Sequence, residues 1–228
     1  GDERALFVDA VVQAKNVPAS GPGTLVLIAR EAVKRGEWAL VHEASERFTT
    51  HFKISNNMLY IMIANLDALI GEGRYADADA LGEEILLKFG YSKSVGYARK
   101  RRADALRMKG DFERALEAYT EVLGIREWRG PLTPEALYYS GLCKMELGAV
   151  EEAFAYFQRI YVLYEDYTEW VAPAYAMSVQ CMEKLGGYDQ EIINTYREML
   201  ANEKVAATPE GREAAERLEE LSPSEVAL

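Results

Sequence analysis

The chain has 228 residues and a formal net charge of −11, with 26 basic and 37 acidic side chains. Apolar residues make up 49% and charged residues 28%, proportions that are typical of a folded chain and exclude collagen-like structure, wholesale disorder and a disulfide-rich scaffold. The excess of acid argues against a nucleic-acid partner, because a basic face normally supplies that affinity.

The first predicted element, in chain order, is an N-terminal helix within residues 1–21. Residues 2–6 repeat the residue order of 111–116 with one residue missing, so half a repeat is one interpretation of this helix. Pro18, Gly21, Pro22 and Gly23 then interrupt the chain. We therefore expect the first full structural unit to begin near residue 22.

A short pattern recurs five times after this break: a glycine, one spacer residue and, in most copies, a large apolar residue. The successive spacings are 37, 37, 38 and 38 residues, and the glycines are Gly36, Gly73, Gly110, Gly148 and Gly186. Apolar residues follow each glycine at helical spacing, and mostly small residues stand seven positions before it. The pattern predicts pairs of amphipathic helices, the first of each pair ending in a left-handed glycine.

This period divides most of the chain into five repeats, followed by a C-terminal capping helix and tail at 205–228. The repeats cover about 22–58, 59–95, 96–133, 134–171 and 172–204. Thr133-Pro134 and Thr208-Pro209 each predict a helix that begins with a capping threonine and a proline in the first helical position. We expect residues 222–228 to be frayed.

The segment 102–119 is the clearest example of the repeat, and it resembles the tetratricopeptide repeat (TPR) family. The resemblance implies an all-α fold, a right-handed α-solenoid of about five TPR-like helix pairs with capping helices at its ends. Two departures are a period longer than the family's 34 residues and Val150 in place of an aromatic residue. Residues 135–200 are similar to the repeats of bacterial cell-envelope TPR lipoproteins, of the Tol-Pal-associated and outer-membrane-assembly kinds. A periplasmic or envelope location is therefore expected.

The resemblance also implies a function: a non-enzymatic scaffold that binds a protein or peptide in its concave groove. Groove positions of the family lie thirteen, ten, six and three residues before each glycine. The residues selected in this way as the partner-binding groove are Tyr60, Ile63, Tyr97, Lys100, Arg107, Tyr138, Leu142 and Met145. Tyrosine, methionine and arginine are the residue types enriched at protein interfaces.

Segment 96–110 is strongly basic, with six cations against the single acid Asp104. Because four of the cations are consecutive, they must point around the helix, and only Lys100 and Arg107 are expected to face the groove together. One interpretation is a site for an acidic segment of a partner. The alternative is pairing with acids of adjoining helices, such as Glu83, Glu84 or Glu113.

Residues for other chemistry are few. His42 and His51 are nine residues apart, a spacing that does not favour a metal site, and Cys143 and Cys181 are interpreted as small core residues. Phosphate-binding loops and nucleophile motifs are absent from the sequence, which also contains no apolar run of the ~20 residues needed to cross a membrane. We therefore expect no catalytic residues, no metal, no cofactor and no transmembrane segment.

Two other functions remain open. Self-association is one, because solenoids need capped ends to stay monomeric, although the charged stretch 210–220 has the character of a cap. A small-molecule-binding or hydrolytic helical protein is the other. The protein's own tail, 222–228, is a further candidate occupant of the groove.

Overall fold

The computed structural model of the chain describes residues 2–90 and 93–222, and within these ranges every regular element is a helix. The predicted occupation of the groove by the tail concerns mainly residues 223–228, which lie outside the described residues, as does most of the predicted frayed segment. The α-helices are α1 (Asp2–Ala14), α2 (Pro22–Arg35), α3 (Trp38–His51), α4 (Met58–Gly71), α5 (Tyr75–Phe89), α6 (Lys93–Lys109), α7 (Phe112–Gly124), α8 (Leu132–Glu146), α9 (Val150–Leu163), α10 (Thr168–Leu185), α11 (Asp189–Ala201), α12 (Glu203–Ala206) and α13 (Pro209–Leu221).

Helices α2 to α11 follow one another as five glycine-linked pairs, as the all-α repeat interpretation predicts. All five periodic glycines have a positive φ. At Gly36 φ is 70°, and the amide of Glu37 donates to the carbonyl of Ala32 across the turn. The bond satisfies a carbonyl that the helix end would otherwise leave unpaired, as expected of a left-handed cap. Gly186, with φ 74° and ψ 154°, lies outside the left-handed helical region, so the prediction is wrong for that glycine.

The two threonine–proline signals have different outcomes. Thr208 caps α13, where its hydroxyl accepts a hydrogen bond from the Gly211 amide at 3.0 Å and Pro209 is the first helical residue. The same prediction is wrong at Thr133, because α8 already begins at Leu132. Pro134 is then the third helical residue and still lies in the first turn, where a missing amide removes no intrahelical bond.

The first of two compact units extends to Asp111 and contains α1 to α6. Its interior is formed by buried apolar residues of α2 to α6, including Leu25, Ile28, Phe48, Ile61, Leu66, Ile85 and Leu106. Helix α4 is apolar around most of its circumference because it packs against α2, α3, α5 and α6.

The second unit begins at Phe112 and contains α7 to α13. Phe157 and Ile160 of α9 are fully buried in its core, whereas Phe154 and Tyr164 are partly buried against it. Gly141 of α8 allows the close approach of α9, since a Cβ there would lie 2.6 Å from the Phe157 ring. The small residue seven positions before this periodic glycine therefore sets the distance between the two helices.

None of the helices in the described part of the chain combines the length and apolarity needed to cross a membrane. The same residues contain no cluster of three or more His, Cys, Asp or Glu side chains that could hold a metal ion.

Candidate functional site

A groove of about 370 Å³ opens on the first unit, where the first helices of three successive pairs come together. Three predicted groove residues line it: Tyr60 and Ile63 on α4, and Tyr97 on α6. The side chains of Tyr60 and Tyr97 are 43% and 38% exposed, respectively, which is high for large aromatic residues. Such side chains supply much contact area to a ligand at a low cost in conformational entropy.

Helical spacing explains why these residues reach the groove. Tyr60, Ile63 and Asp67 lie three and four residues apart, so they share one face of α4, while most of the rest of that helix is buried. Ala64 lies between them and forms part of the floor. The groove is therefore an apolar floor with a tyrosine on each of two helices.

A polar network holds α4 and α6 together at one side of this groove. Arg101 Nε donates to Asp67 Oδ1 at 2.5 Å, and its Nη1 donates to Asp104 Oδ2 at 2.9 Å. The Tyr97 hydroxyl lies 3.4 Å from Asp67 Oδ2, at the long end of hydrogen-bond distance. These contacts fix the position of the Tyr97 ring relative to α4.

Burial and charge shift the pKa values of this network. Burial raises the pKa of Asp67, and the Arg101 guanidinium only partly offsets that effect. Burial and the neighbouring Asp67 carboxylate raise the pKa of Tyr97 to about 12. Burial lowers the pKa of Arg101, but the Asp67 and Asp104 carboxylates outweigh it and raise the value overall. At neutral pH Tyr97 is therefore an uncharged donor and Arg101 a cation.

Two cations of α2 complete the groove, Arg30 and Lys34, and neither was among the residues predicted to form it. Lys34 Nζ donates a hydrogen bond to Glu31 Oε2 of the same helix at 3.1 Å. Arg30 is exposed and, in the described ranges, its guanidinium makes no hydrogen bond or ion pair. The family's groove positions could have identified Arg30 from the sequence. Arg30 stands six residues before Gly36, just as Asp67 stands six residues before Gly73.

The basic segment of α6 has most of its charge paired. Lys100, selected as a groove residue, is only 4% exposed and its Nζ lies 3.0 Å from Asp104 Oδ2. Arg102 pairs with two acids of α5, at 2.6 Å from Asp79 and 3.8 Å from Glu83. Pairing with acids of adjoining helices, the alternative raised by the sequence, therefore holds for Arg102. Arg107 lies half-buried near the end of the same helix.

The remaining predicted groove residues lie on α8 in the second unit. Tyr138, Leu142 and Met145 are partly buried against its hydrophobic core. The Tyr138 ring lies 5.6 Å from the rings of both Phe157 and Trp170, measured between centroids. This side chain is thus held in an aromatic cluster, and only part of it is available to a ligand.

The cysteines lie in the core, as predicted, and the histidines lie at or near the surface. Cys143 and Cys181 are free thiols buried in the second unit, and burial raises the pKa of Cys181 to about 11, which makes it a poor nucleophile. His51 is exposed, and His42 lies between Asn65 and Glu72 at 2.8 and 3.0 Å.

Comparison with known proteins agrees with this architecture. The sequence pattern of the tetratricopeptide repeat matches residues 63–128 and 100–168. No curated protein sequence matches the chain. Among solved structures, a variant of a Podosopora anserina protein described as a kinesin light chain, with nearly identical TPR-like repeats, has a TM-score of 0.61 at 15% identity. The alignment covers 92% of this chain and 100% of that one.

A second similar structure is the C-terminal part of a TPR repeat-containing protein from Cytophaga hutchinsonii. Its TM-score is 0.54 at 13% identity, over 98% of this chain and 92% of that one. Identities this low bear on the fold alone. The family match shows tetratricopeptide repeats within residues 63–168, and the solved structures together with the five glycine-linked helix pairs show an all-α helical-repeat fold.

Proposed function

We propose that the chain is a non-enzymatic binding protein and that the groove of the first unit receives an extended segment of a partner protein. The observation that carries this proposal is the pair of exposed tyrosines, Tyr60 and Tyr97, above an apolar floor. An apolar cleft with a few polar groups is the usual form of a binding site. Protein binding is also the usual role of helical repeats of this kind.

The charges of the groove favour a partner segment that contains a carboxylate. Arg30 is available for a bidentate ion pair, whereas the Asp67 carboxylate is already neutralised by Arg101. Lys34 adds a second cation on the same helix. A segment with an aromatic or aliphatic anchor next to an Asp or Glu side chain would match both parts of the groove.

A peptide selection tests this function. Random dodecapeptides displayed on phage would be selected on the full chain, and the enriched sequences synthesised with a fluorescent label. We expect peptides with acidic and apolar residues, whose affinity in fluorescence anisotropy falls by about tenfold or more in Tyr60→Ala/Tyr97→Ala, because anchors of this type are each worth more than ~1 kcal/mol. Arg30→Glu should weaken the same peptides.

Tyr188→Ala is the matched control, since Tyr188 is 40% exposed and lies in the second unit. Circular dichroism would establish that all variants keep their helix content. Acidic peptides that bind the double variant and the wild type equally would contradict a site in this groove.

We also propose an envelope location, on the sequence resemblance of residues 135–200 alone. Fractionation of the source cells tests it, and recovery of the protein only with cytosolic markers would contradict it.

A further inference from the structure

A second groove, of about 480 Å³, lies in the second unit between α9 and α11, the second helices of two successive pairs. Its floor is apolar, formed by side chains of α9 and α10 that include Phe154, Tyr161 and Met182. At its edges Val162 is 59% exposed and Tyr188 is 40% exposed. Most of its lining therefore comes from second helices of the pairs, whereas the groove proposed above is lined by first helices.

The charges along this groove are all of one sign. Among the described residues that line it, three are acids, Glu151, Glu191 and Glu198, and none is lysine or arginine. Glu151 comes from α9 and the other two from α11, so acids flank the apolar floor on both sides.

The acids are available to a ligand. Glu198 accepts a hydrogen bond from the Tyr175 hydroxyl at 3.1 Å and keeps its second oxygen free of any described contact. Glu151 and Glu191 make no hydrogen bond or ion pair with any residue that the structure describes. The neighbouring Glu152, by contrast, pairs with Lys144 at 2.7 Å.

We propose that this groove binds a basic segment of a partner protein, with one or two aliphatic or aromatic side chains in the apolar floor and lysine or arginine residues facing the flanking acids. Charge complementarity selects this occupant, because an acidic segment would be repelled by all three carboxylates. The apolar floor supplies an anchor that a purely electrostatic contact would lack. The inference is independent of the first groove, which favours a segment of opposite charge.

The same random dodecapeptide library tests this proposal on the full chain. We expect a class of enriched peptides that carries lysine or arginine next to apolar residues. In fluorescence anisotropy these peptides should lose about tenfold or more of their affinity in Glu151→Lys/Glu191→Lys, since two attractive rim charges become repulsive. Tyr188→Ala should weaken them through the anchor alone.

The charge control is Glu117→Lys/Glu219→Lys, which makes the same change in net charge at two exposed residues of the second unit outside this groove. It should change the affinity by less than twofold, as should Tyr60→Ala/Tyr97→Ala.

Equal losses of affinity in the two lysine variants would overturn the proposal in favour of unspecific attraction to an acidic protein. Absence of basic peptides from the selection would overturn it as well. A dimer of the wild-type chain in light scattering would also overturn the proposal if Glu151→Lys/Glu191→Lys dissociates it and the control variant does not. The occupant of the groove would then be a second copy of the chain.

Discussion

Tyr97 links the groove of the first unit to the interior of that unit. Its ring is exposed in the groove, while its hydroxyl lies 3.4 Å from the Asp67 carboxylate that Arg101 holds. A side chain fixed at its polar end presents its ring to a ligand in one orientation, which lowers the entropy that binding must overcome. The same contact helps to raise the pKa of Tyr97, so the stability of the folded chain should depend on alkaline pH.

We predict that Tyr97 ionises only near pH 12 in the folded chain, since burial and Asp67 raise its pKa to about 12 from an ordinary value of about 10. Folding favours the neutral form of Tyr97, because the pKa is higher in the folded chain than in the unfolded chain. The stability that Tyr97 contributes is therefore fully present below about pH 10 and is lost as the pH rises towards 12. Tyrosinate absorbance in the ultraviolet measures the titration.

Tyr97→Phe should remove one tyrosine from the late part of that titration curve. Burial also raises the pKa of Tyr161, Tyr175 and Tyr196, so a late fraction should remain in the variant. Loss of absorbance from the part of the curve near pH 10 instead would contradict the prediction.

Residue-level sequence reasoning succeeded where one backbone conformation or one packing distance decides the residue. Gly36 and its periodic equivalents have positive φ values that disfavour any side chain, so the spacing alone revealed them. It failed where neighbours compete for a contact. Lys100 stands at a groove position of the family, but Arg101, one residue later, makes the bond to Asp67. Both are basic residues of one helix, so only the structure distinguishes their directions.

At the scale of the helices, the contact between α8 and α9 depends on Gly141. We predict that Gly141→Ala destabilises the chain by about 1–3 kcal/mol, because the new methyl group would lie 2.6 Å from the Phe157 ring and the ring is fully enclosed. The shift of the urea denaturation midpoint measures the effect.

Gly124→Ala provides the comparison for this variant. Gly124 ends α7, and a Cβ there would meet nothing within 4 Å. Its replacement should leave the stability unchanged or raise it by up to about 1 kcal/mol, as expected from helix propensity. A similar loss in both variants would exclude the contact with Phe157 as the cause.

The order and type of the helices could be predicted from the sequence, because each pair carries its own amphipathic period and glycine. Not every helix start could be predicted. The Thr-Pro signal is the same at 133 and 208, but α8 begins two residues earlier than the signal indicates. The division into two units after Asp111 was not predicted, since no change of composition or run of proline and glycine marks it.

At the scale of the whole chain, the net charge of −11 should act differently on the two proposed ligands. We predict that an acidic peptide associates with the first groove faster when the salt concentration rises from about 0.01 to 0.15 M. The Debye length then falls from about 30 to 8 Å, so long-range repulsion is screened more than the short contact with Arg30. A basic peptide should associate more slowly over the same range.

Stopped-flow fluorescence with the two labelled peptide classes measures these rates. A fall in both association rates with salt would contradict the prediction that the net charge of the chain outweighs the cations of the first groove during the encounter with an acidic peptide. A rise in both would contradict that of the second.

The third helix pair has a consequence for how proteins of this kind can be recombined. The sequence period joins α6 to α7 through Gly110, yet the boundary between the compact units falls after Asp111, inside that pair, and α6 packs along α5. The segment that a gene duplication would copy is thus one helix out of step with the compact unit. A crossover placed at the edge of a sequence period, near residue 95, would take α6 away from the helix that buries it. A crossover placed in the turn after Gly110 would keep α6 with α5 and leave each compact unit whole.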